Sequence, residues 1–148
     1  CPPLGVRSCG PVRSACGTGR RQTDAANESV LAFVQIETSE GWANVEAICA
    51  IAGLDGVYVG PADLSLALGF ESFADLSAPD MLDALDRVVA AASARDVVPG
   101  IHAPSFERAV EMARRGFRFV GAAGDVELLR AGAAESIERT RADVRDER

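Results

Sequence analysis

From Val30 onward, short runs of apolar and β-branched residues alternate with longer amphipathic stretches, and turn residues separate the two. Short apolar runs bounded by turns are typical of buried strands, whereas apolar positions repeating every three to four residues are typical of helices. The repeats predict the order β-α-β-α-β-α-β-α, which requires a parallel sheet with helical crossovers. The predicted strands cover residues 31–36, 56–59, 96–101 and 117–120.

The same pattern predicts the helices between these strands. Thr38 or Ser39 can cap the first helix and Gly53 can end it. A short helical turn is predicted over residues 64–68, a long helix over residues 79–94, and a further helix between Ser105 and Gly116. Asp125 begins a last helix, whose Arg- and Glu-rich tail is expected to fray into solvent. The predicted buried faces carry Trp42, Val45, Cys49 and Ala52; Met81, Leu82, Leu85, Val88, Val89 and Ala92; Phe106, Ala109, Val110 and Ala113; and Val126, Leu129 and Ile137.

Residues 1–29 differ from the rest because they are rich in Gly, Pro and Arg and show no period. We expect an irregular loop region there, followed by one α/β domain over residues 30–148. Two architectures satisfy the predicted order: a doubly wound sheet and one half of a (β/α)₈ barrel. A complete barrel takes roughly 250 residues. On the barrel interpretation, this chain of 148 residues corresponds to half of it.

Composition removes several classes of chemistry. The net charge of −7 has the wrong sign for a nucleic-acid or anionic-membrane surface, so neither partner is expected. All 15 basic residues are Arg, which excludes a Schiff-base lysine within this chain. His102 is the single histidine, which excludes His-rich zinc sites. No apolar run is long enough to cross a membrane, and we expect a cytoplasmic protein.

The four cysteines have no C-x-x-C spacing. We therefore expect reduced thiols rather than a zinc ribbon or a redox pair. The cysteines are Cys1, Cys9, Cys16 and Cys49.

Two predicted strands end on carboxylates. Glu37 follows the first strand, and Asp63 follows the second after Gly-Pro-Ala. Adjacent parallel strands lie about 4.8 Å apart, so both carboxylates can reach one cation. Two carboxylates that leave room for water and substrate oxygens suit Mg²⁺ or Mn²⁺. The alternative is that both acids merely cap the helices that follow them.

Neighbouring residues favour a ligand site. Gln35 lies on the same side of the strand as Glu37, because side chains alternate along a strand. Gly60, Pro61 and Ala62 place small, rigid residues before Asp63, which lets backbone N–H groups approach a substrate carboxylate.

Three segments together resemble the hydroxyketoacid aldolase family. They are Val-Gln-Ile-Glu-Thr at 34–38, Gly-Leu-Asp-Gly-Val at 53–57, and Gly-Pro-Ala-Asp-Leu-Ser at 60–65 followed by Gly69. The family comprises metal-dependent class II aldolases with a (β/α)₈ barrel of the pyruvate/phosphoenolpyruvate type. The resemblance runs from Cys1-Pro2-Pro3, which is similar to the family's Tyr-Pro-Pro loop, to the last helix. It corresponds to the C-terminal half of the family's barrel.

The resemblance implies roles for individual residues. Glu37 and Asp63 would ligate a divalent cation (Mg²⁺, Mn²⁺ or Co²⁺), and Gln35 would contact pyruvate. The backbone at Ala62 and Asp63 would bind the pyruvate carboxylate. The family's general base, a histidine, and its pyruvate-binding arginine belong to the other half of the barrel, so the resemblance assigns no catalytic base to this chain. The resemblance also implies a homo-oligomer once the barrel is complete.

The sequence departs from the family pattern at three places, one of which is the segment before Ala26-Asn27-Glu28, which is a few residues short. Arg7-Ser8 replaces the usual Arg-Gly, and Ala123 replaces a usual Gly. Loops of this kind determine substrate preference.

Three functions remain open at this point. The first is a class II aldolase that cleaves 4-hydroxy-2-keto acids to pyruvate and an aldehyde. The second is a catalytically inert fragment or interaction domain that retains the metal site. The third is a carbon–carbon lyase acting on acyl-CoA, similar to the β subunit of citrate lyase.

A few single residues have competing interpretations. His102 ends the third predicted strand and is expected to hydrogen-bond backbone at the rim rather than act in catalysis. Trp42 is expected to pack against the sheet, and Tyr58 to lie in the core or an interface. The N-terminal arginines are expected to form a solvated loop, with attraction of an anionic substrate as the alternative. These arginines are Arg7, Arg13, Arg20 and Arg21.

Overall fold

The computed structural model describes residues 30–71, 74–122 and 124–146. The N-terminal region 1–29, for which the sequence predicts irregular structure, lies outside the described residues. From Phe33 onward the chain forms one compact unit.

The described elements alternate between strands and helices. In chain order they are β1 (Phe33–Ile36), α1 (Ser39–Ala43), α2 (Val45–Cys49), β2 (Gly56–Val59), α3 (Pro61–Ala67), α4 (Pro79–Ser93), β3 (Val98–His102), α5 (Phe106–Arg115), β4 (Phe119–Gly121) and α6 (Asp125–Asp146). Within the described residues, no helix is both long and apolar enough to cross a membrane.

The four strands form one parallel sheet in the order β1-β2-β3-β4. Each strand therefore pairs with the next one along the chain. A doubly wound sheet reverses direction at a switch point, and these strands do not, so that alternative is excluded. The winding is that of consecutive units in a (β/α)₈ barrel, as the sequence predicts.

One face of the sheet packs against the helices and forms the core. Ile36, Val57, Val59 and Ile101 point to this face and are fully buried. The long helix α4 supplies the largest share of the helical side, since Met81, Leu85, Val88 and Ala92 are fully buried along one stripe. The opposite face carries Phe33, Gln35, Tyr58 and Phe119, which are half-buried or exposed.

The first predicted helix is wrong in one respect, because it is two short helices. The chain breaks at Asn44, where φ is −103° and ψ is 15°. The Glu40 carbonyl accepts both the Asn44 backbone N–H at 3.0 Å and the Asn44 side-chain amide at 2.8 Å, so Asn44 ends α1 with its side chain bonded to the preceding turn. Ala52 lies beyond α2 and is exposed, so it does not extend the buried face.

Other predicted boundaries shift by a few residues. Helix α3 begins at Pro61 rather than Leu64, since proline suits the first helical position. Strand β3 begins at Val98, because Asp96 has φ +55° and belongs to a turn. Strand β4 begins at Phe119, and Phe117 is buried just before it.

Helices α5 and α6 also differ from prediction. Ala109 and Met112 form the buried side of α5, whereas Phe106 is 73% exposed and Ala113 is exposed. The predicted ends of α5 are confirmed, since the Ser105 side chain accepts from the Arg108 N–H and Gly116 ends the helix with φ +113°. Helix α6 runs from Asp125 to Asp146. Its predicted inward residues Val126, Leu129 and Ile137 are exposed.

Trp42 is half-buried against the core and also contacts α4. Its indole N–H donates to the Ala84 carbonyl at 3.3 Å, and the Arg87 guanidinium lies 4.3 Å from the ring centroid. Arg87 also donates to both carboxylate oxygens of Glu46, at 2.8 and 2.9 Å. This pair holds the pKa of Glu46 at about 2. Together these contacts join α1 and α2 to α4.

Of the four cysteines, Cys49 lies in the described part of the chain. It is a buried free thiol, and burial raises its pKa. This agrees with the expected reduced state at that position.

Candidate active site at the carboxyl ends of the strands

Gln35 and Glu37 lie on the sheet face opposite the helices, beside Gly60. A Cβ atom built on Gly60 would lie 3.2 Å from Glu37 Oε2 and 3.6 Å from Gln35 Nε2. Both polar groups therefore extend from β1 across the end of β2, into space that a side chain at position 60 would occupy. The Gly60 N–H donates to the Ile36 carbonyl at 3.4 Å, which continues the pairing of β1 with β2 to this point.

Asp63 lies in the first turn of α3, directly after this junction. Gly60 is the N-cap residue of α3, Pro61 is buried in the first turn, and the Asp63 side chain is exposed. Glu37 and Asp63 thus follow the carboxyl ends of neighbouring strands. In parallel α/β folds, ligands bind at that edge.

Ser65 fixes the turn that carries Asp63. It is the only buried polar side chain in the described part of the chain. Its hydroxyl donates to the Ala62 carbonyl at 2.7 Å and accepts from the Ala74 N–H at 3.1 Å. Ala74 has φ +53°, a conformation that needs support from its surroundings. Sequence reasoning did not single out Ser65, although a serine within an apolar helical turn is a usable signal.

Neither acid forms a side-chain cap, although Asp63 lies in the first turn of α3, where its charge interacts favourably with the helix dipole. Thr38 caps α1, since its hydroxyl accepts from the Gly41 N–H at 3.0 Å. The N-cap of α3 is Gly60, and no side chain caps that helix. Among described residues, neither Glu37 nor Asp63 has a hydrogen-bond or ion-pair partner in its side chain. Both carboxylates are therefore available to a ligand.

The donor set fits a hard divalent cation of the Mg²⁺ or Mn²⁺ kind. Carboxylate oxygens with open positions for water and substrate oxygens suit these ions. Within residues 30–71, 74–122 and 124–146, no three side chains of the His, Cys, Asp and Glu types form a group that could enclose a metal. A cation here would thus rest on two carboxylates, and the absence of a side chain at Gly60 leaves room beside Glu37.

A second group of side chains occupies the same face, toward β4. The rings of Phe33 and Phe119 lie 5.3 Å apart, and those of Tyr58 and Phe119 lie 5.8 Å apart. Burial raises the pKa of Tyr58, so its phenol stays protonated at neutral pH. The His102 side chain is exposed at the end of β3 and makes no hydrogen bond with a described residue. The predicted bond from His102 to the backbone is therefore not found there.

Comparisons with known proteins give one consistent result. The model of the family described as HpcH/HpaI aldolase/citrate lyase matches residues 5–131. A hydroxypyruvate/pyruvate aldolase from Rhizorhabdus wittichii is 36% identical over 140 residues, which cover 95% of this chain and 56% of that protein. A 4-hydroxy-2-oxovalerate aldolase from Rhodococcus jostii is 38% identical over 133 residues, covering 86% of this chain and 49% of that protein.

Solved structures agree with these relatives. The crystal structure of an HpcH/HpaI aldolase/citrate lyase family protein from Burkholderia cenocepacia has a TM-score of 0.74 and 33% identity. The match covers 94% of this chain and 54% of that one. The chain thus spans about half the length of the curated relatives that it matches.

Proposed function

Because the chain belongs to the HpcH/HpaI aldolase/citrate lyase family, we propose that it carries the metal-binding half of a class II aldolase active site. The reaction is cleavage of a 4-hydroxy-2-keto acid to pyruvate and an aldehyde. Glu37 and Asp63 ligate the divalent cation, Gln35 contacts the pyruvate moiety, and the backbone at Ala62 and Asp63 binds its carboxylate. The name of the Rhodococcus relative, a 4-hydroxy-2-oxovalerate aldolase, supports this substrate class.

One observation carries the proposal. The side chains of Glu37 and Gln35 both lie beside Gly60, which precedes Asp63 by three residues. The carboxylates of Glu37 and Asp63 have no partner among the described residues. Two carboxylates without protein partners at the ligand-binding edge of a parallel sheet leave their oxygens open to a cation.

The chain's own residues position the substrate. Gln35 Nε2 donates to an oxygen of the pyruvate moiety, while the first-turn N–H groups of Ala62 and Asp63 have no helical acceptor and donate to its carboxylate. Ser65 holds the Ala62 carbonyl and so keeps this turn in place. When bound, the cation supplies polarisation of the 2-keto group and stabilises charge as the carbon–carbon bond breaks. None of these roles requires a lysine, in accord with the composition.

The proton-transfer groups come from elsewhere in the barrel. We assign the general base and the pyruvate-binding arginine to the other four βα units, with which this half forms the complete barrel. On this proposal the complete protein is a homo-oligomer. On this proposal this half binds metal and substrate and turnover requires both halves, whereas an inert domain that retains the site would bind without any turnover.

Calorimetry with oxalate, an analogue of the pyruvate enolate, tests the proposal. We expect the 148-residue chain to bind oxalate in Mg²⁺ or Mn²⁺ buffer and to lose that binding when EDTA removes the cation. Oxalate binding that is unaffected by EDTA, or absent with every cation, contradicts the proposal.

Assays with two substrate types separate the aldolase from the acyl-CoA lyase. The chain is given 4-hydroxy-2-oxovalerate or citryl-CoA, and pyruvate and acetyl-CoA are measured. We expect any cleavage to be confined to the keto acid. Cleavage confined to citryl-CoA overturns the aldolase assignment in favour of the acyl-CoA lyase.

A further inference from the structure

We propose that Tyr58 and His102 form a hydrogen-bonding subsite that recognises a hydroxyl group on the aldehyde half of the substrate. The inference rests on the proposed aldolase function and adds a preference among its substrates. Tyr58 is the only tyrosine of the chain and His102 the only histidine.

The two polar groups converge beside Gly121. A Cβ atom built on Gly121 would lie 2.8 Å from the Tyr58 hydroxyl and 3.3 Å from His102 Nδ1. Both atoms therefore border the same small space above β4, and that space exists because residue 121 has no side chain. Neither group has a hydrogen-bond partner among the described residues. Each can thus donate to or accept from a ligand.

The subsite and the proposed metal ligands lie on one face and at one level. Ile36 pairs with Val59 and Val59 pairs with Ile101, so the next residues Glu37, Gly60 and His102 form a row across three strands. His102 also pairs with Gly121, which extends the row to β4. Two strand spacings separate Glu37 from His102, about 10 Å between their Cα atoms. An extended 4-hydroxy-2-keto acid held at Glu37 can reach across this distance.

The chemistry of the pair selects a hydroxyl group. A phenol and an imidazole can each donate and accept one hydrogen bond, which matches a hydroxyl that also does both. The Phe119 ring lies beside Tyr58, with ring centroids 5.8 Å apart. A site built to bond a hydroxyl discriminates against the analogue without it, because its own polar groups are then left unpaired.

Two ligands that differ by one hydroxyl test the subsite. They are 4,5-dihydroxy-2-oxopentanoate and 4-hydroxy-2-oxopentanoate, titrated into the 148-residue chain in Mg²⁺ buffer. We expect the dihydroxy acid to bind about tenfold more tightly than the monohydroxy acid. It should also shift the ring NMR signals of Tyr58 and His102. These signals can be assigned directly, because the chain has one tyrosine and one histidine. If the chain cleaves the ligands, the ratio of kcat/KM values replaces the ratio of Kd values.

Three variants locate the effect. Tyr58→Phe and His102→Leu each remove one polar group, and Gly121→Ala fills the space between them. In each of the three variants, the ratio of the Kd values for the two acids should come close to one, and the Kd for oxalate should stay unchanged. Phe106→Leu, which makes an aromatic-to-aliphatic change at an exposed position of α5, should keep the ratio.

The outcomes separate this inference from the aldolase assignment. The proposed subsite is wrong if the unmodified chain binds both acids equally well, or if its preference for the dihydroxy acid persists in the Tyr58 and His102 variants. Metal-dependent binding of oxalate by the same chain would still support the aldolase assignment. If the unmodified chain does not bind oxalate and the ring signals of Tyr58 and His102 do not shift, both the subsite and the aldolase site are wrong. If those ring signals shift although oxalate does not bind, the subsite is supported and the proposed metal site is wrong.

Discussion

Replacing Glu37 by Gln is expected to lower the affinity of the chain for Mn²⁺ by about two orders of magnitude. The amide has the shape of the carboxylate but not its charge, and a hard divalent cation binds anionic oxygens far better than neutral ones. The loss should be this large because the proposed site has only one other carboxylate, Asp63. Isothermal titration calorimetry of the chain with Mn²⁺ measures the change directly.

Glu40→Gln is the matched control for this substitution. Glu40 lies three residues farther along, is exposed in the first turn of α1, and loses the same charge. Its Mn²⁺ affinity should stay within about twofold of the unmodified chain, because Glu40 supplies no proposed ligand and salt screens its solvent-exposed charge. Equal losses in both variants would mean that Mn²⁺ responds to the net charge of −7 rather than to a site.

Leu85→Ala is expected to reduce the free energy of unfolding by about 2–5 kcal/mol. Leu85 is fully buried in the middle of α4, within the core between that helix and the sheet. Its removal loses buried apolar surface and leaves a cavity that the surrounding side chains fill only in part. Urea denaturation followed by far-ultraviolet circular dichroism measures the loss.

Leu66→Ala controls for the change in side-chain size. Leu66 is 65% exposed in α3, so the same truncation should alter the free energy of unfolding by no more than about 0.5 kcal/mol. A Leu85 effect as small as that of Leu66 would contradict the assignment of α4 to the core.

The order of elements and the buried stripe of α4 could be predicted from the sequence because both depend on local periodicity. Met81, Leu85, Val88 and Ala92 recur on one face of a helix, and all four are buried. The break at Asn44 could not be predicted in this way, because it is a departure of the Asn44 backbone from helical geometry, with φ −103° and ψ 15°. Apolar periodicity alone does not register a change of backbone angle at one polar residue.

The choice between the two parallel architectures also required the structure. Strand sequences do not specify which neighbour each strand takes, so the doubly wound sheet stayed open until the strand order was known. The exposure of Phe106 and Phe119 has a similar cause, because a sequence pattern marks a residue as apolar without saying what covers it.

Some residues of the candidate site could be predicted from the sequence, and others could not. Gln35, Glu37 and Asp63 were predicted because alternation along a strand and the ends of parallel strands place them on one edge. The supporting role of Ser65 and the convergence of Tyr58 with His102 on Gly121 were not, because they depend on contacts between separate elements. Gly60 and Gly121 can be read from the sequence, but the structure is needed to see that each leaves space for side chains of neighbouring strands.

The most direct test of the central claim is where Mn²⁺ binds, measured through the ring protons of His102. Paramagnetic Mn²⁺ held jointly by Glu37 and Asp63 would lie about two strand spacings from that ring. We predict that one equivalent of Mn²⁺ broadens the His102 signals, that Glu37→Gln and Asp63→Asn each abolish the broadening, and that Glu40→Gln preserves it. Signals that stay sharp in the unmodified chain, or broadening that persists in both site variants, would contradict the account.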